Sequence, residues 1–276
     1  MSYATLMLHL ELGRSNAALL TLAADLAERF QAGVIGVSAC KPAAFVAGDG
    51  YIDGALIVAE CRQLAQETEV AEAEFRAALQ GRVAGPLSWR STCDYTPLVD
   101  FIAHQAGAAD LILTAAVKGD LFDASHAVDT GSLVLQAGRP VLVVPTAGMP
   151  LRFDHALVAS NNSREARRAV FDALPLLARM AKVSVVEVAD EADMADARTR
   201  VADVVAWLAA HHIDATPLVA PSIKDDAEAI YTLAQDQGAD LIVAGGYGHG
   251  RLREWVLGGV TRDLLLRADR CTLLSH

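Results

Sequence analysis

Aromatic side chains are scarce, at 5% of the chain against a hydrophobic fraction of 53%. A core must therefore come from Ala, Leu and Val, as in sheets covered by helices. Trp89, Trp207 and Trp255 suit packing better than a stacking platform. Cysteine is also sparse. Cys40, Cys61, Cys93 and Cys271 stand far apart, with no C-x-x-C pair. This spacing indicates neither a zinc site nor a disulfide framework, and a reduced, cytoplasmic protein is the expectation. No apolar run reaches the roughly 18 residues that suggest a membrane helix. The start, MSYATLMLHLELGR, lacks the basic segment and small-residue cleavage site of a secretion signal, and reads as a first strand. Positive charge is in deficit, with 23 Lys and Arg against 34 Asp and Glu, a net charge of -11. That field disfavours nucleic acid and anionic membranes as main partners. A small anion remains compatible, because backbone N–H groups with Arg251 or Arg253 can outweigh it locally.

Catalytic constellations are missing too. No Ser-His-Asp or Cys-His set can be assigned from spacing. His211 and His212 are adjacent and so point in different directions, a poor metal site. His9, His104, His126 and His155 are isolated and read as surface or capped residues, and His276 is terminal.

What the chain does have is Leu241 to Thr261, LIVAGGYGHGRLREWVLGGVT. Leu241 to Ala244 is the short apolar run of a strand covered on both faces. Gly245, Gly246, Gly248 and Gly250 follow, at the kind of strand end where open α/β sheets bind ligands. Glycine allows backbone N–H groups to approach a phosphate. Gly258 and Gly259 then precede a second helical run, Val260 to Ala268, whose start offers N–H groups and a positive dipole end. No Gly-Lys-Ser/Thr follows, so this is not a Walker A loop, and it does not fit the dinucleotide fingerprint. The plain alternative is a tight strand-to-helix connection without a ligand. The nearest acids, Asp240, Glu254 and Asp263, form no magnesium cluster, and at most slow, incidental ATP turnover is expected.

The chain is also self-similar. Ala109 to Thr114 matches Ala239 to Ala244, each after a helix ending at a glycine, Gly107 or Gly238. Each is followed by a loop, a helix and a last apolar run, Pro140 to Val144 or Cys271 to Leu274. Pro145 to Pro150 reads as the linker between domains 1–147 and 151–276. In the first half, strands are predicted over Tyr3 to Leu10, Val34 to Val37 and Leu87 to Cys93. Helices are predicted over Asn16 to Gln31, with Gly33 as its stop, over Ala55 to Leu79, and from Thr96-Pro97, with Thr96 as cap. Residues 43–54 read as a loop, either a lid or partner surface or an ordinary excursion. In the second half, strands are predicted over Ala156 to Ala159, Val183 to Val188 and Ala215 to Ala220. Helices run from Arg164 to Met180, from Ala195 to Ala210, and to Gln235 from a capping box of Ser222 with Asp225. Asn162 or Ser163 caps the first of these. The alternation argues for an α/β fold with doubly wound parallel sheets.

Gly245-x-x-Gly248, nine residues, then Gly258-Gly259 resembles the nucleotide loop of the universal stress protein family, and the halves resemble two tandem domains of it. In that family the motif ends in Ser or Thr. Here the position is Gly259, with Thr261 two residues on. The resemblance implies two five-stranded sheets of order 3-2-1-4-5, paired through their last strands as an intrachain pseudo-dimer, with a homodimer of whole chains left open. It implies an adenine nucleotide, ATP first and ADP or AMP next, in the second half only. Gly245, Gly248 and Gly258 would cradle it, Gly259 and Val260 would give N–H groups, and Tyr247, His249 and Thr261 would be side-chain contacts. Ala159 and Asn161 would face the nucleoside, where nucleotide-binding relatives carry Asp at the Asn161 position, and Val188 would line the base. In the first half the glycine loop is missing. Asp120, Asp123 and Asp129 lie close by, Glu11 stands at the usual Asp position, and only Gly131-Ser132 is similar to the motif's end. That half reads as degenerate for nucleotide. The resemblance implies a regulatory stress protein; the alternatives are a scaffold acting through protein contacts and a weak ATPase.

Overall fold

The computed structural model describes residues 2–42, 54–116, 128–146, 153–222, 226–246 and 270–276. The first half contributes strands β1 (Thr5–His9), β2 (Gly33–Cys40), β3 (Leu87–Cys93), β4 (Leu111–Ala115) and β5 (Val141–Val144). The second contributes β6 (His155–Ala159), β7 (Lys182–Ala189), β8 (Ala215–Pro221), β9 (Leu241–Gly245) and β10 (Cys271–Ser275). These form one ten-stranded sheet, in the order β3-β2-β1-β4-β5-β10-β9-β6-β7-β8. Each half therefore has the order 3-2-1-4-5. Neighbours within a half are parallel. At the junction β5 meets β10 antiparallel, with Leu142 opposite Leu273 and Val141 opposite Leu274.

The helices are α1 (Ala17–Phe30), α2 (Gly54–Leu79), α3 (Leu98–Gln105), α4 (Thr130–Gln136), α5 (Arg164–Leu177), α6 (Met194–Ala210) and α7 (Asp226–Asp236). They cover the sheet from both sides, so the inner strands are continuously buried: all eight residues of β2 and all five of β4 and β10 are out of solvent. One core lies under α1, α2, α5 and α6, around Leu22, Phe75, Val170 and Val201. The other lies under α3, α4 and α7, around Ile102, Val134 and Ile230. The halves also meet through α1 and α5. The Tyr3 hydroxyl donates to the carbonyl of Asp172 at 2.6 Å, and the Arg179 guanidinium lies 4.3 Å from the Phe30 ring centre. No helix among the described residues is long and apolar enough to cross a membrane.

The repeated Ala-Asp step before β4 and β9 has a structural cause. The Asp110 carboxylate accepts the N–H groups of Ala4 and Thr5, at 2.7 and 3.0 Å. Asp240 does the same for Asp154 and His155, at 2.9 and 3.1 Å. Each aspartate thus fixes the start of its half's first strand.

Several terminators differ from their sequence expectations. Helix α1 ends at Gln31, in the left-handed region with φ 54, its N–H directed to the carbonyls of Ala27 and Glu28. Gly33 instead opens β2, where a Cβ would come within 2.9 Å of Pro86. Helix α3 starts one residue after Pro97. Thr96 is no cap; its own N–H donates to Asp94 Oδ1 at 2.7 Å. Ser222 pairs with Asp226, hydroxyl to carboxylate at 2.8 Å, while Asp225 lies outside the described residues. His9 and His155 are core residues, 1% and 5% exposed. His9 Nδ1 meets Thr114 Oγ1 at 3.0 Å and His155 Nε2 meets Ser184 Oγ at 2.9 Å. Most of the 43–54 loop, most of the linker after Thr146, and His126 lie outside the described residues.

Candidate functional site

In the second half the chain order reverses between β6 and β9, its neighbours in the sheet. A crevice outside the carboxyl ends of the strands is expected there. Strand β6 ends at Ala159, which is half-buried. The N–H of Ser160 then donates to the carbonyl of Val186 at 2.8 Å, so the chain stays on the sheet one residue longer. Asn161 is exposed and its Oδ1 accepts the N–H of Ser163 at 3.2 Å. Asn162 is left-handed, with φ 56, and Arg167 Nη1 donates to its carbonyl at 2.7 Å and to its Oδ1 at 3.0 Å. Ser163, not Asn162, is the N-cap of α5, accepting the N–H of Ala166 at 3.1 Å. The Asn-Asn-Ser turn is therefore held by four side chains, its own three and Arg167.

Beside it β9 ends at Gly245. A Cβ there would stand 2.4 Å from the backbone nitrogen of Ala166 and 2.6 Å from the carbonyl carbon of Glu165. Glycine is required because the first turn of α5 lies directly against the strand end. Gly246 is gripped from two further directions. Its N–H donates to the carbonyl of Ser275 at 2.8 Å, and its carbonyl is 3.1 Å from His276 Nδ1. An added Cβ would sit 2.9 Å from Val134 of α4, across the junction between the halves. His276 is thus bonded to the start of the glycine stretch.

Val188 of β7 is half-buried and, like Ala159, faces the core beneath α7. The structure thus brings Ala159, Asn161, Val188 and Gly245 to the carboxyl ends of the adjacent strands β7, β6 and β9. The other sequence-predicted site residues, Tyr247, Gly248, His249, Gly258, Gly259, Val260 and Thr261, lie outside the described residues. So do Arg251, Arg253, Glu254, Trp255 and Asp263. Two buried acids lie nearby. Glu165 is 3% exposed and pairs with Arg164 Nε at 3.2 Å. Glu187 is 4% exposed and is held by Arg200, with Nε at 2.9 Å and Nη2 closer still. No group of three or more potential metal-ligating side chains occurs among the described residues.

At the corresponding described positions of the first half, backbone groups are bonded by side chains of their own turns. After β1, the Asn16 amide clamps Glu11, accepting its N–H and donating to its carbonyl, both at 3.0 Å. At α4 the Asp129 carboxylate caps the helix, accepting the N–H groups of Gly131 and Ser132 at 3.2 and 3.1 Å, and the Ser132 hydroxyl as well. The groups that match the end of the glycine motif are occupied by a carboxylate from their own turn. The DTGS order around Asp129 is the sequence signal for this cap.

Residues 219–274, which include β9, the glycine stretch and all but the last residue of β10, match the family model of the universal stress protein family. The chain has the universal stress protein fold, in tandem. Over 98% of its length it is similar to a universal stress protein from Archaeoglobus fulgidus DSM 4304, at 14% identity and TM-score 0.76, covering 95% of that chain. It is similar over 99% of its length to a functionally unknown protein from Pseudomonas aeruginosa PAO1, at 18% identity and TM-score 0.63, covering 92% of that chain. At these identities the likeness speaks for the tandem fold. No curated protein is similar enough to count as a match.

Proposed function

We propose that the second half holds an adenine nucleotide, ATP first and ADP or AMP next, and that the protein is a cytoplasmic regulator of a stress response rather than a catalyst. The observation that carries this reading is the junction of Gly245 with the capped Asn161–Ser163 turn at the point where the strand order reverses. There, a glycine stretch of the family's spacing leaves the sheet beside the start of a helix. In this reading Gly245, Gly248 and Gly258 form a backbone cradle. Gly259 and Val260 offer N–H groups to phosphate, and Tyr247, His249 and Thr261 give side-chain contacts. Ala159 and Asn161 face the nucleoside and Val188 lines the base. The domains are 1–147 and 151–276. The first binds no nucleotide, because Asp129 already fills the N–H groups that phosphate would need. The β5–β10 junction lets one chain do what a pair of single-domain chains would do together.

A second reading, a scaffold acting through protein contacts, draws support from Asn161. It has no charge, and its Oδ1 is engaged by Ser163. A weak ATPase would show magnesium-dependent turnover that falls on replacing His249 or Arg253. Titration calorimetry on wild type and Gly248→Val separates these. The nucleotide reading expects ATP heat in wild type that is lost in the variant, with the circular dichroism spectrum unchanged. Equal ATP affinity in a folded Gly248→Val contradicts the cradle.

A further inference from the structure

Two of the four cysteines, far apart in sequence, become neighbours in the sheet. The parallel register of β2 with β3 sets Cys40 directly opposite Cys93, as the last pair of the ladder. Opposed residues of adjacent parallel strands turn to the same face, on strands about 4.8 Å apart. That separation falls within the roughly 4.4–6.8 Å between Cα atoms that a disulfide spans. The Cys93 side chain acts on the Cys40 thiol to raise its pKa, and Thr68 of α2 acts to lower it. The Cys40 sulfur also lies 3.6 Å from the carbonyl oxygen of Thr92. Cys40 is buried and Cys93 exposed, at the end of the strand that forms the edge of the sheet. The second half has no counterpart, since its last ladder pair is Ala189 opposite Pro221.

We propose that Cys40 and Cys93 form a reversible thiol–disulfide site, oxidised by a peroxide that reaches Cys93 from solvent. The Cys93 sulfur attacks one peroxide oxygen. The O–O bond breaks, an alcohol or water leaves, and Cys93 becomes a sulfenic acid. The Cys40 sulfur then attacks the Cys93 sulfur. The S–O bond breaks, and the hydroxyl leaves as water with the Cys40 proton. In sum, two thiols and one peroxide give one disulfide, one water and one alcohol or second water. A small dithiol reverses the reaction by exchange. Burial, followed by the contact with Cys93, pushes the Cys40 thiol up to about 12, so the accessible Cys93 takes the first step and Cys40 resolves it. The bond staples the end of the edge strand to its neighbour at the last pair of the ladder.

The test treats the full chain with equimolar hydrogen peroxide, alkylates the remaining thiols, and maps the unreduced digest by mass spectrometry. The expected result is a Cys40–Cys93 linked peptide, with Cys61 and Cys271 alkylated, that disappears after dithiothreitol. Cys93→Ser, a change at an exposed edge position, should leave Cys40 alkylatable after peroxide. In Cys40→Ala, Cys93 should stop at a sulfenic acid that dimedone traps. Cys93 carried to sulfinic acid in the wild type while Cys40 stays alkylatable would overturn the proposal. So would linkage of Cys93 to Cys61 or to a second chain.

Discussion

At Gly245 a single missing Cβ decides two things at once. It lets the first turn of α5 pack against the end of β9, and it places the turn after β6 beside the glycine stretch. The contact is with backbone atoms, at 2.4 and 2.6 Å from where a Cβ would stand, and backbone cannot swing aside as a flexible side chain would. Gly245→Ala should therefore cost about 1–3 kcal/mol, the usual range for overpacking. A lowered urea midpoint at unchanged slope would show it; an unchanged midpoint would mean that α5 moves away freely. His9 makes a second residue-scale prediction. Burial lowers its pKa from 6.5 to about 4, so on acidification the unfolded chain binds the proton first. The contribution is full above about pH 6.5, falls between about 6.5 and 4, and is gone below, on the order of 3 kcal/mol in all. His155 is shifted in the same direction, by burial first and then by Lys182. Urea midpoints measured across that window should fall as the pH is lowered, and those of His9→Gln should fall less steeply. An equal slope in the variant would assign the acid sensitivity elsewhere.

The elements were largely legible as short runs of Val, Ile, Leu and Ala bounded by Gly, Pro or Asp, because parallel strands buried on both faces leave such runs. Helix α2 and strand β3 fall where hydrophobic patterning puts them. The ends were less legible. Which of Asn162 and Ser163 caps α5, or whether Asp94 or Thr96 organises the turn before α3, depends on backbone angles that spacing does not encode. The buried histidines were missed because their partners, Thr114 for His9 and Ser184 for His155, lie 105 and 29 residues away. The Cys40–Cys93 pairing was hidden for the same reason, being a matter of register rather than of motif. The junction of the halves is the element most open to test. Leu273 of β10 and Leu142 of β5 face each other, both fully buried. Leu273→Ala should cost about 2–5 kcal/mol and lower the unfolding of both halves together. A calorimetric trace in which the second half melts early and the first stays put would contradict a shared core.

On the scale of the whole molecule, two copies of one fold finish their strand ends differently. The first half closes its turn after β1 with Asn16 and caps α4 with Asp129. The second ends β9 in Gly245, against the first turn of α5, whose cap is Ser163. Ala159 with Asn161, Val188, and Gly245 lie far apart in sequence and gather at three adjacent strand ends because β7, β6 and β9 are neighbours in the sheet. The most direct measurement is to purify the whole chain without added nucleotide, denature it, chromatograph the released small molecules, and titrate ATP into a second native sample by calorimetry. The account predicts ATP, ADP or AMP close to one per chain in the extract, or, if the purified protein is empty, one ATP bound per chain in the titration. An empty protein that gives no heat with ATP would contradict it, and would leave the scaffold reading in its place.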